Sequence, residues 1–433
     1  MTETLIGFAV LLLLVLARFP LAYSMGIVGF VGFAWLIDFN WNATLSMAAR
    51  RIVDTGQDYS LSVIPLFILM GNLVNKAGIS SELYRASNAF VGHRKGGLSM
   101  ATILACGGFS AICGSSLATA ATMSKVAMPP MRQYGYRDSL ASASIAAGGT
   151  LGILIPPSVM LVVYGLLTES SIRELFAAGL IPGLLGVVLY LLAVKWAVSR
   201  DPESAPPLKA LSWPERFAAL KGVLSTLVLF VLVMGGIYAG VFTPTEAAGI
   251  GAAGAFVIAL LKRQLSLPVL KEVLVDTAIT SSVLFSVVIS ALIFSNFINR
   301  AGFTDELLMW VTGMELSPFA VMGIIILVYL LLGCVFESMS MLLLTVPIFF
   351  PLVQSLGFDL IWFGILVVVV TEISLITPPV GMNVFVLSGV IKDISTKTIF
   401  RGIVPFWVAD MVRLALIAFI PAISLALPHW LYA

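Results

Sequence analysis

Long apolar runs separated by short polar breaks dominate this chain of 433 residues. Runs such as residues 5–17 and 222–238 carry no charged side chain, and their polarity does not alternate as it would in the strands of a membrane barrel. The composition agrees, because 60% of the residues are hydrophobic and only 11% are charged, against about 25% charged in soluble domains. The pattern predicts an all-α polytopic membrane protein, and it excludes a disordered, secreted or nucleic-acid-binding chain.

The same pattern occurs twice along the chain. Residues 71–83 (GNLVNKAGISSEL) recur as residues 295–307 (SNFINRAGFTDEL), at an offset of 224 positions. The doublet Pro156-Pro157 recurs as Pro378-Pro379, at an offset of 222. We therefore predict two copies of a unit of about 200 residues. The first copy covers residues 1–194 and the second covers residues 222–433, with a polar linker at 195–221.

Cations change sides between the two copies. The first turn of copy one carries Arg18, whereas its counterpart at 242–245 carries no cation. The second connection begins with Asp38 in copy one and with Lys262-Arg263 in copy two. By the positive-inside rule, Arg18, the linker and Lys262-Arg263 face the cytoplasm. We expect two inverted-topology repeats with both termini outside.

Each copy contains segments that are too short or too interrupted to be plain membrane spans. One is a re-entrant hairpin, predicted at about 98–130 in copy one and about 319–351 in copy two. The helix after it is broken at its proline doublet, because proline has no N–H to donate; these broken helices are predicted at about 139–168 and about 359–391. Unwound backbone at membrane depth is tolerated only inside protein or beside a polar cavity. Matching breaks in inverted halves are typical of the central site of a secondary transporter.

Oxygen atoms are concentrated at these four breaks. Unwound carbonyls suit a hard monovalent cation, and nearby hydroxyl and amide side chains add further oxygens, which favours two sodium-type sites, one per copy. Small residues and prolines are also common in ordinary membrane helices, and one such break alone would have a structural explanation. Four breaks placed symmetrically favour function. The side chains that supply oxygen are Ser115, Ser116, Ser338, Ser340, Thr377 and Asn383.

Two carboxylates fall at the breaks of copy two. At the offset of 222, Glu337 aligns with Ser115 and Glu372 aligns with Thr150, so copy one keeps an oxygen at each position without the charge. An acid at membrane depth is a functional hypothesis by default. For both acids, hydrogen bonding to amides at a helix start and direct ligation of an ion are open alternatives.

The remaining charges inside the predicted helices have simpler interpretations. Asp410 and Arg413 are one helical turn apart and are expected to pair with each other. Lys125, on the second hairpin arm, either extends to the membrane surface or meets an anion. No arginine falls inside the four breaks, so a bound carboxylate is expected to rest on helix N-termini and polar side chains. The predicted substrate-binding residues are Ser116, Lys125, Ser338 and Asn383.

Several motifs resemble one transporter family. Residues 114–122 (GSSLATAAT), 243–248 (TPTEAA) and 372–383 (EISLITPPVGMN) are similar to the large membrane subunit, DctM type, of the tripartite ATP-independent periplasmic (TRAP) transporters. The resemblance covers essentially the whole chain. It implies an elevator-type permease of the bacterial inner membrane, driven by Na+, which imports an organic acid received from a periplasmic binding protein of the DctP type. It also implies a small four-helix membrane subunit of the DctQ type, expected as a separate partner because no such helices precede Met1.

The same resemblance assigns the sodium ligands to two groups, each made of a hairpin tip and a broken helix. The first group is Gly114, Ser115, Ser116, Gly149, Thr150 and Pro156. The second group is Glu337, Ser338, Ser340, Thr377, Pro378, Gly381 and Asn383.

Other functions fit parts of this pattern. A channel is one, but helices broken in inverted pairs around a closed site favour alternating access. A stand-alone sodium-coupled di- or tricarboxylate carrier would share the hairpin plan and would need no binding protein. An intramembrane enzyme would use Ser115 or Ser116 as its nucleophile. The enzyme is disfavoured, because His93 and His429 are the only histidines and both lie outside the breaks.

Overall fold

The computed structural model describes residues 2–334 and 336–432, and within them the chain is helical with no strand. This confirms the predicted all-α class. The helices of the first half are α1 (Thr2–Leu16), α2 (Leu21–Leu36), α3 (Trp41–Gln57), α4 (Val63–Lys76), α5 (Ile79–Val91), α6 (Gly97–Cys113), α7 (Ser116–Gln133), α8 (Asp138–Thr150), α9 (Val159–Thr168) and α10 (Ile172–Arg200). Those of the second half are α11 (Trp213–Tyr238), α12 (Pro244–Leu261), α13 (Leu267–Arg300), α14 (Phe303–Gly313), α15 (Pro318–Leu332), α16 (Ser338–Ser355), α17 (Leu360–Ser374), α18 (Met382–Val390), α19 (Thr396–Phe419) and α20 (Ala422–Tyr432).

The helices of the second half follow those of the first in order. Helices α11 and α12 correspond to α1 and α2, the single helix α13 corresponds to α3 plus α4, and α14–α19 correspond to α5–α10. The first half bends by 57° between α3 and the segment Tyr59–Lys76, whereas α13 is continuous. The bend has a local cause, since Asp58 accepts a hydrogen bond from the Ser60 N–H at 2.8 Å and so starts a new turn.

Contacts at the helix ends show that corresponding elements run in opposite directions. Arg132, at the end of α7, forms ion pairs of 2.8 Å with Asp138 at the start of α8 and with Asp393 after the end of α18. In the other half of the bundle, the Tyr164 hydroxyl of α9 donates to the carbonyl of Leu360, the first residue of α17, at 2.6 Å. Helix α8 therefore begins where α18 ends, and α17 begins beside α9. The two halves have the predicted inverted topology.

Each half of the chain contains one re-entrant hairpin and one broken helix. The hairpin arms meet at residues 114–115 between α6 and α7, and between α15 and α16. Residues 151–158 separate α8 from α9, and residues 375–381 separate α17 from α18. The four half-helices contain 13, 10, 15 and 9 residues. At about 1.5 Å per residue, none of them spans a hydrocarbon core of about 30 Å.

Six helices in the part of the chain that the structure describes are long and apolar enough to cross a membrane, or seven if the bent pair counts as one span. Around the hairpins, helices α1–α4 and α11–α13 pack together, and we call them the outer helices. Helix α2 touches α13 backbone to backbone, because a Cβ at Gly29 would lie 2.6 Å from the Cα of Phe294. Close contact at small residues is the usual packing of membrane helices. The outer faces expose apolar side chains such as Leu13 and Leu261, as a lipid-facing surface does.

Candidate functional site

A cavity of about 410 Å³ lies where the two hairpin tips meet the outer helices. The first tip contributes residues 113–118, and the second contributes residues 337–339. The outer helices contribute Asn72 of α4 and Thr280 of α13, and Ile153 comes from the first break. Both halves of the chain therefore build one cavity at their interface, which is the expected place for a transport site.

The first tip is fixed against the first break by hydrogen bonds and by close backbone packing. The Ser115 side chain caps α7 by accepting a backbone N–H at 3.4 Å, and the Ser116 hydroxyl donates to the Thr150 carbonyl at 3.2 Å. A Cβ at Gly152 would lie 2.9 Å from the carbonyl carbon and oxygen of Ser115, so this approach requires glycine. Gly114 turns the chain with a φ of 63°, where a Cβ is disfavoured. Four of the predicted ligands are thus close together in the structure: Gly114, Ser115, Ser116 and Thr150.

The first break is buried over its whole length, residues 151–158. The Ser158 hydroxyl accepts the Leu161 N–H at 3.2 Å and so starts α9. The carbonyl oxygen of Pro157 faces the tip, since a Cβ at Gly114 would lie 3.2 Å from it. Gly149, another predicted ligand, packs against Ala120 of the second hairpin arm. Because buried unwound carbonyls cannot reach water, they need protein donors or a cation.

The second tip is organised by Glu337. Its carboxylate accepts hydrogen bonds from the N–H groups of Met339 and Ser340 at 3.2 and 3.1 Å, and from the Ser340 hydroxyl at 3.1 Å. The helix-start role, one of the two that the sequence left open, is therefore present in the structure. Glu337 and Ser338 also line the cavity, so the same acid gives it a negative charge.

The second break is arranged differently from the first. The Thr377 hydroxyl donates to the Ile373 carbonyl at 2.6 Å and accepts the Trp407 indole N–H at 3.1 Å. Pro378 is exposed, whereas Gly381 is buried and starts α18 with a φ of 57°. None of these residues lines the cavity between the tips. The structure therefore divides the second predicted group between the cavity and a separate break.

Asn383 is the most informative residue of this break. Its side chain is fully buried, and its amide nitrogen donates to the Ala146 carbonyl of α8 at 3.0 Å. Its Oδ1 atom has no hydrogen-bond partner among the described residues. Leaving a buried acceptor unpaired costs about 1–3 kcal/mol, so this oxygen is well placed to receive a cation or a water molecule.

Lys125 lies away from these groups. It occupies an exposed position on α7, nine residues beyond Ser116, and it does not line the cavity. In this conformation the structure does not bring it together with the other predicted substrate-binding residues.

The intramembrane charges form a buried cluster. Arg413 pairs with Asp410 at 2.9 Å, as predicted, but it also pairs with Glu372 at 2.7 Å, and all three side chains are at most 1% exposed. Glu372 lies near the end of α17 rather than at a helix start, and its carboxylate is held by Arg413. The sequence indicated only the local pair, because the partner on α17 is 41 positions away.

Sequence reasoning missed the contributions of the outer helices to the cavity. The Asn72 amide donates to the Thr277 hydroxyl at 3.0 Å, which ties α4 to α13 beside the cavity. A signal for Asn72 existed, because it belongs to the repeated segment 71–83. Thr280 carried no such signal.

Comparison with known proteins identifies the family. A model described as "Tripartite ATP-independent periplasmic transporter, DctM component" matches residues 8–423. The C4-dicarboxylate TRAP transporter large permease protein DctM of Pseudomonas aeruginosa is 38% identical over 405 residues, which cover 93% of this chain and 94% of that protein. The sialic acid TRAP transporter large permease protein SiaM of Vibrio cholerae is 33% identical, and the match covers 96% of this chain and 96% of that protein. The ectoine/5-hydroxyectoine TRAP transporter large permease protein UehC of Ruegeria pomeroyi is 32% identical, with 97% of both chains covered.

Solved structures show the same fold at much lower identity. The Alcanivorax borkumensis YdaH transporter superposes with a TM-score of 0.61 at 14% identity, over 91% of this chain and 89% of that one. Neisseria gonorrhoeae MtrF superposes with a TM-score of 0.57 at 13% identity, over 87% and 83%. The relatives are transporter permease subunits, so this chain is not an enzyme but a multi-pass transport protein of the bacterial inner membrane. It belongs to the DctM family, the large permease subunits of TRAP transporters.

Proposed function

We propose that this chain is the permease subunit of a sodium-coupled secondary transporter that imports a small organic acid delivered by a periplasmic binding protein. The observation that carries the proposal is the cavity between the two hairpin tips, which both repeats build and which the first break adjoins. A cavity between two hairpin tips, built by inverted repeats, suits alternating access better than an open pore.

Electrostatics explains why cations would be needed. Helices α7 and α16 begin at the cavity, and helix N-termini favour anions such as a carboxylate. Glu337 at the same cavity opposes an anion, because like charges repel strongly in a site shielded from water. Sodium ions bound at the tips and breaks would offset this repulsion, so that the anion binds well only to the loaded carrier. The buried, unpaired Oδ1 of Asn383 supports a cation at the second break.

The relatives' names support the substrate class. They refer to C4-dicarboxylates, sialic acid and ectoine, all of which carry a carboxylate. The proposed partners are a small four-helix membrane subunit of the DctQ type and a periplasmic binding protein of the DctP type. For movement, we propose an elevator in which helices α6–α10 and α15–α19 travel together against the outer helices.

We place the end of the bundle that holds the linker 195–221 in the cytoplasm. The linker packs on that end, where the Leu208 N–H donates to the Gly92 carbonyl at 3.1 Å and the Arg137 N–H donates to the Ser204 carbonyl at 3.0 Å. Arg132, Arg137 and Lys262 lie at the same end, as the positive-inside rule requires of a cytoplasmic face.

Uptake by the reconstituted transporter tests the proposal. Vesicles containing this chain and the small subunit would receive labelled C4-dicarboxylate with its binding protein, in sodium or potassium buffer and without a proton gradient. We expect saturable uptake in sodium only. Equal uptake in potassium would contradict sodium coupling. Equal uptake without the binding protein would instead support the stand-alone carrier.

A further inference from the structure

A chain of buried polar side chains connects the first break to the second. The Thr150 hydroxyl lies 2.9 Å from the Tyr190 hydroxyl, which donates to Oδ2 of Asp410 at 2.6 Å. Nη2 of Arg413 lies 2.9 Å from Oδ1 of Asp410 and 2.7 Å from Oε2 of Glu372. This series of side chains, which we call the polar chain, thus crosses from α8 through α10 and α19 to α17.

Both ends of this polar chain lie at predicted cation sites. Thr150 is the last residue of α8, and its carbonyl accepts the Ser116 hydroxyl of the first tip. Glu372 lies two residues before the end of α17, where the second break begins. The five side chains of the polar chain are all fully buried. A shift of either break can therefore reach the other through a continuous series of buried polar contacts.

Stability alone does not explain such a cluster. A buried ion pair is often no more stabilising than apolar residues of the same volume, because two charges must leave water. The best-attested use of buried ionic groups is to hold one geometry and reject others. A cluster that links two functional breaks is therefore best explained by positioning.

The packing around Arg413 leaves its guanidinium little freedom. A Cβ at Gly186 of α10 would collide with Nη1 of Arg413, and the same Cβ would lie 3.1 Å from the Leu151 side chain at the first break. Helix α10 thus lies directly on the guanidinium and on the break. Even one added methyl group at Gly186 would displace the cluster.

We propose that Tyr190, Asp410, Arg413 and Glu372 are positioning residues that couple the two breaks, so that a cation bound at one break favours cation binding at the other. The inference rests on the proposed function, because it requires two cation sites. The bond from Asn383 to Ala146 also joins the broken helices, so interrupting the polar chain weakens the coupling without necessarily removing it.

Direct sodium binding to the purified full-length chain in nanodiscs tests this coupling without any partner or substrate. Radiolabelled sodium is titrated at constant ionic strength, with choline as the replacement. Tyr190→Phe removes one hydroxyl and keeps every charge. Tyr164→Phe is the matched control, since Tyr164 is also fully buried and its hydroxyl donates to the Leu360 carbonyl, outside the polar chain.

We expect the wild type and Tyr164→Phe to bind with a Hill coefficient approaching about 2, the number of sites, and Tyr190→Phe to fall toward about 1 while the amount bound at saturation stays the same. Gly186→Ala, which removes no polar group, should lower the coefficient as well. Cooperativity that is unchanged in Tyr190→Phe and Gly186→Ala, or absent from the wild type, would overturn the coupling. It would not contradict the presence of two sodium sites. A wild type with no saturable sodium binding would overturn the proposed function and the coupling together.

Discussion

The side-chain amide of Asn383 donates to the carbonyl of Ala146 at 3.0 Å, and this bond joins the broken helix of one repeat to the broken helix of the other. Both residues are fully buried. The two breaks are therefore parts of one polar core, although 237 positions separate the bonded residues. The free Oδ1 of Asn383 lies within that core, at the start of α18.

Asn383→Leu should weaken sodium binding sharply, because it removes both the bond to Ala146 and the unpaired oxygen. The lost hydrogen bond to a buried partner should also lower the free energy of unfolding by about 1–3 kcal/mol. Asn383→Asp, which keeps an oxygen at Oδ1, is expected to retain more sodium affinity than the leucine variant. Sodium titrations of both variants check this. Equal affinity in Asn383→Leu and the wild type would show that this oxygen does not meet the cation.

Gly152→Ala should reduce uptake by about 10- to 100-fold, because the new Cβ would lie 2.9 Å from the Ser115 carbonyl and push the first tip off the break. Gly323→Ala is the control, since a Cβ there meets no atom within 4 Å on helix α15. It should leave uptake unchanged and slightly raise stability, as alanine does in a helix. Initial uptake rates at several sodium concentrations compare the two. If both variants transport normally, the close contact of tip and break has no functional role.

Local sequence patterns predict where the helices of this fold break, but they predict few of its tertiary contacts. Proline doublets and repeated segments identify where helices stop, because proline removes a donor wherever it occurs. Ionic partners across helices depend on how the halves dock. The i,i+3 spacing therefore revealed Asp410 and Arg413 but not Glu372. For the same reason, the sequence predicts Asn383 as a ligand but does not reveal its bond to Ala146. It also predicts Lys125 as a substrate-binding residue, although Lys125 does not line the cavity in the structure.

Glu337→Ala should destabilise the protein and also change substrate binding. Loss of an N-cap costs about 0.5–2 kcal/mol. Asp359→Ala removes a similar acidic cap, which accepts the N–H groups of Ile361 and Trp362 at 2.7 and 3.1 Å at the start of α17, away from the cavity. Melting temperatures should fall in both variants, whereas KM for the substrate and for sodium should change only for Glu337→Ala. A changed KM in both variants would mean that cap loss alone disturbs the site.

The ion pair between Arg132 and Asp393 predicts a pH-dependent contribution to stability. Hydrogen bonding to the Arg132 guanidinium lowers the pKa of the Asp393 carboxyl below its usual value of 3.8. A lowered pKa means that the pair stabilises the fold above the usual carboxyl pKa and that this effect is lost as the pH falls through the folded value. The effect should be small and sensitive to salt, because both side chains are partly exposed.

Melting curves of the wild type and Asp393→Asn between neutral and acidic pH check this sign. We expect the wild type to melt higher at pH 7 and the difference to shrink toward pH 3. A difference that grows on acidification would contradict the assignment.

Simultaneous measurement of sodium and substrate entry tests sodium-coupled import most directly. Proteoliposomes containing this chain and its small subunit would receive labelled C4-dicarboxylate and the binding protein on the outside, together with an inward gradient of radiolabelled sodium. We expect both species to enter in a fixed ratio of about two sodium ions per substrate, one from each cation site, and we expect accumulation to stop when the sodium gradient is abolished. Substrate accumulation without accompanying sodium entry would contradict sodium-driven transport through these two breaks.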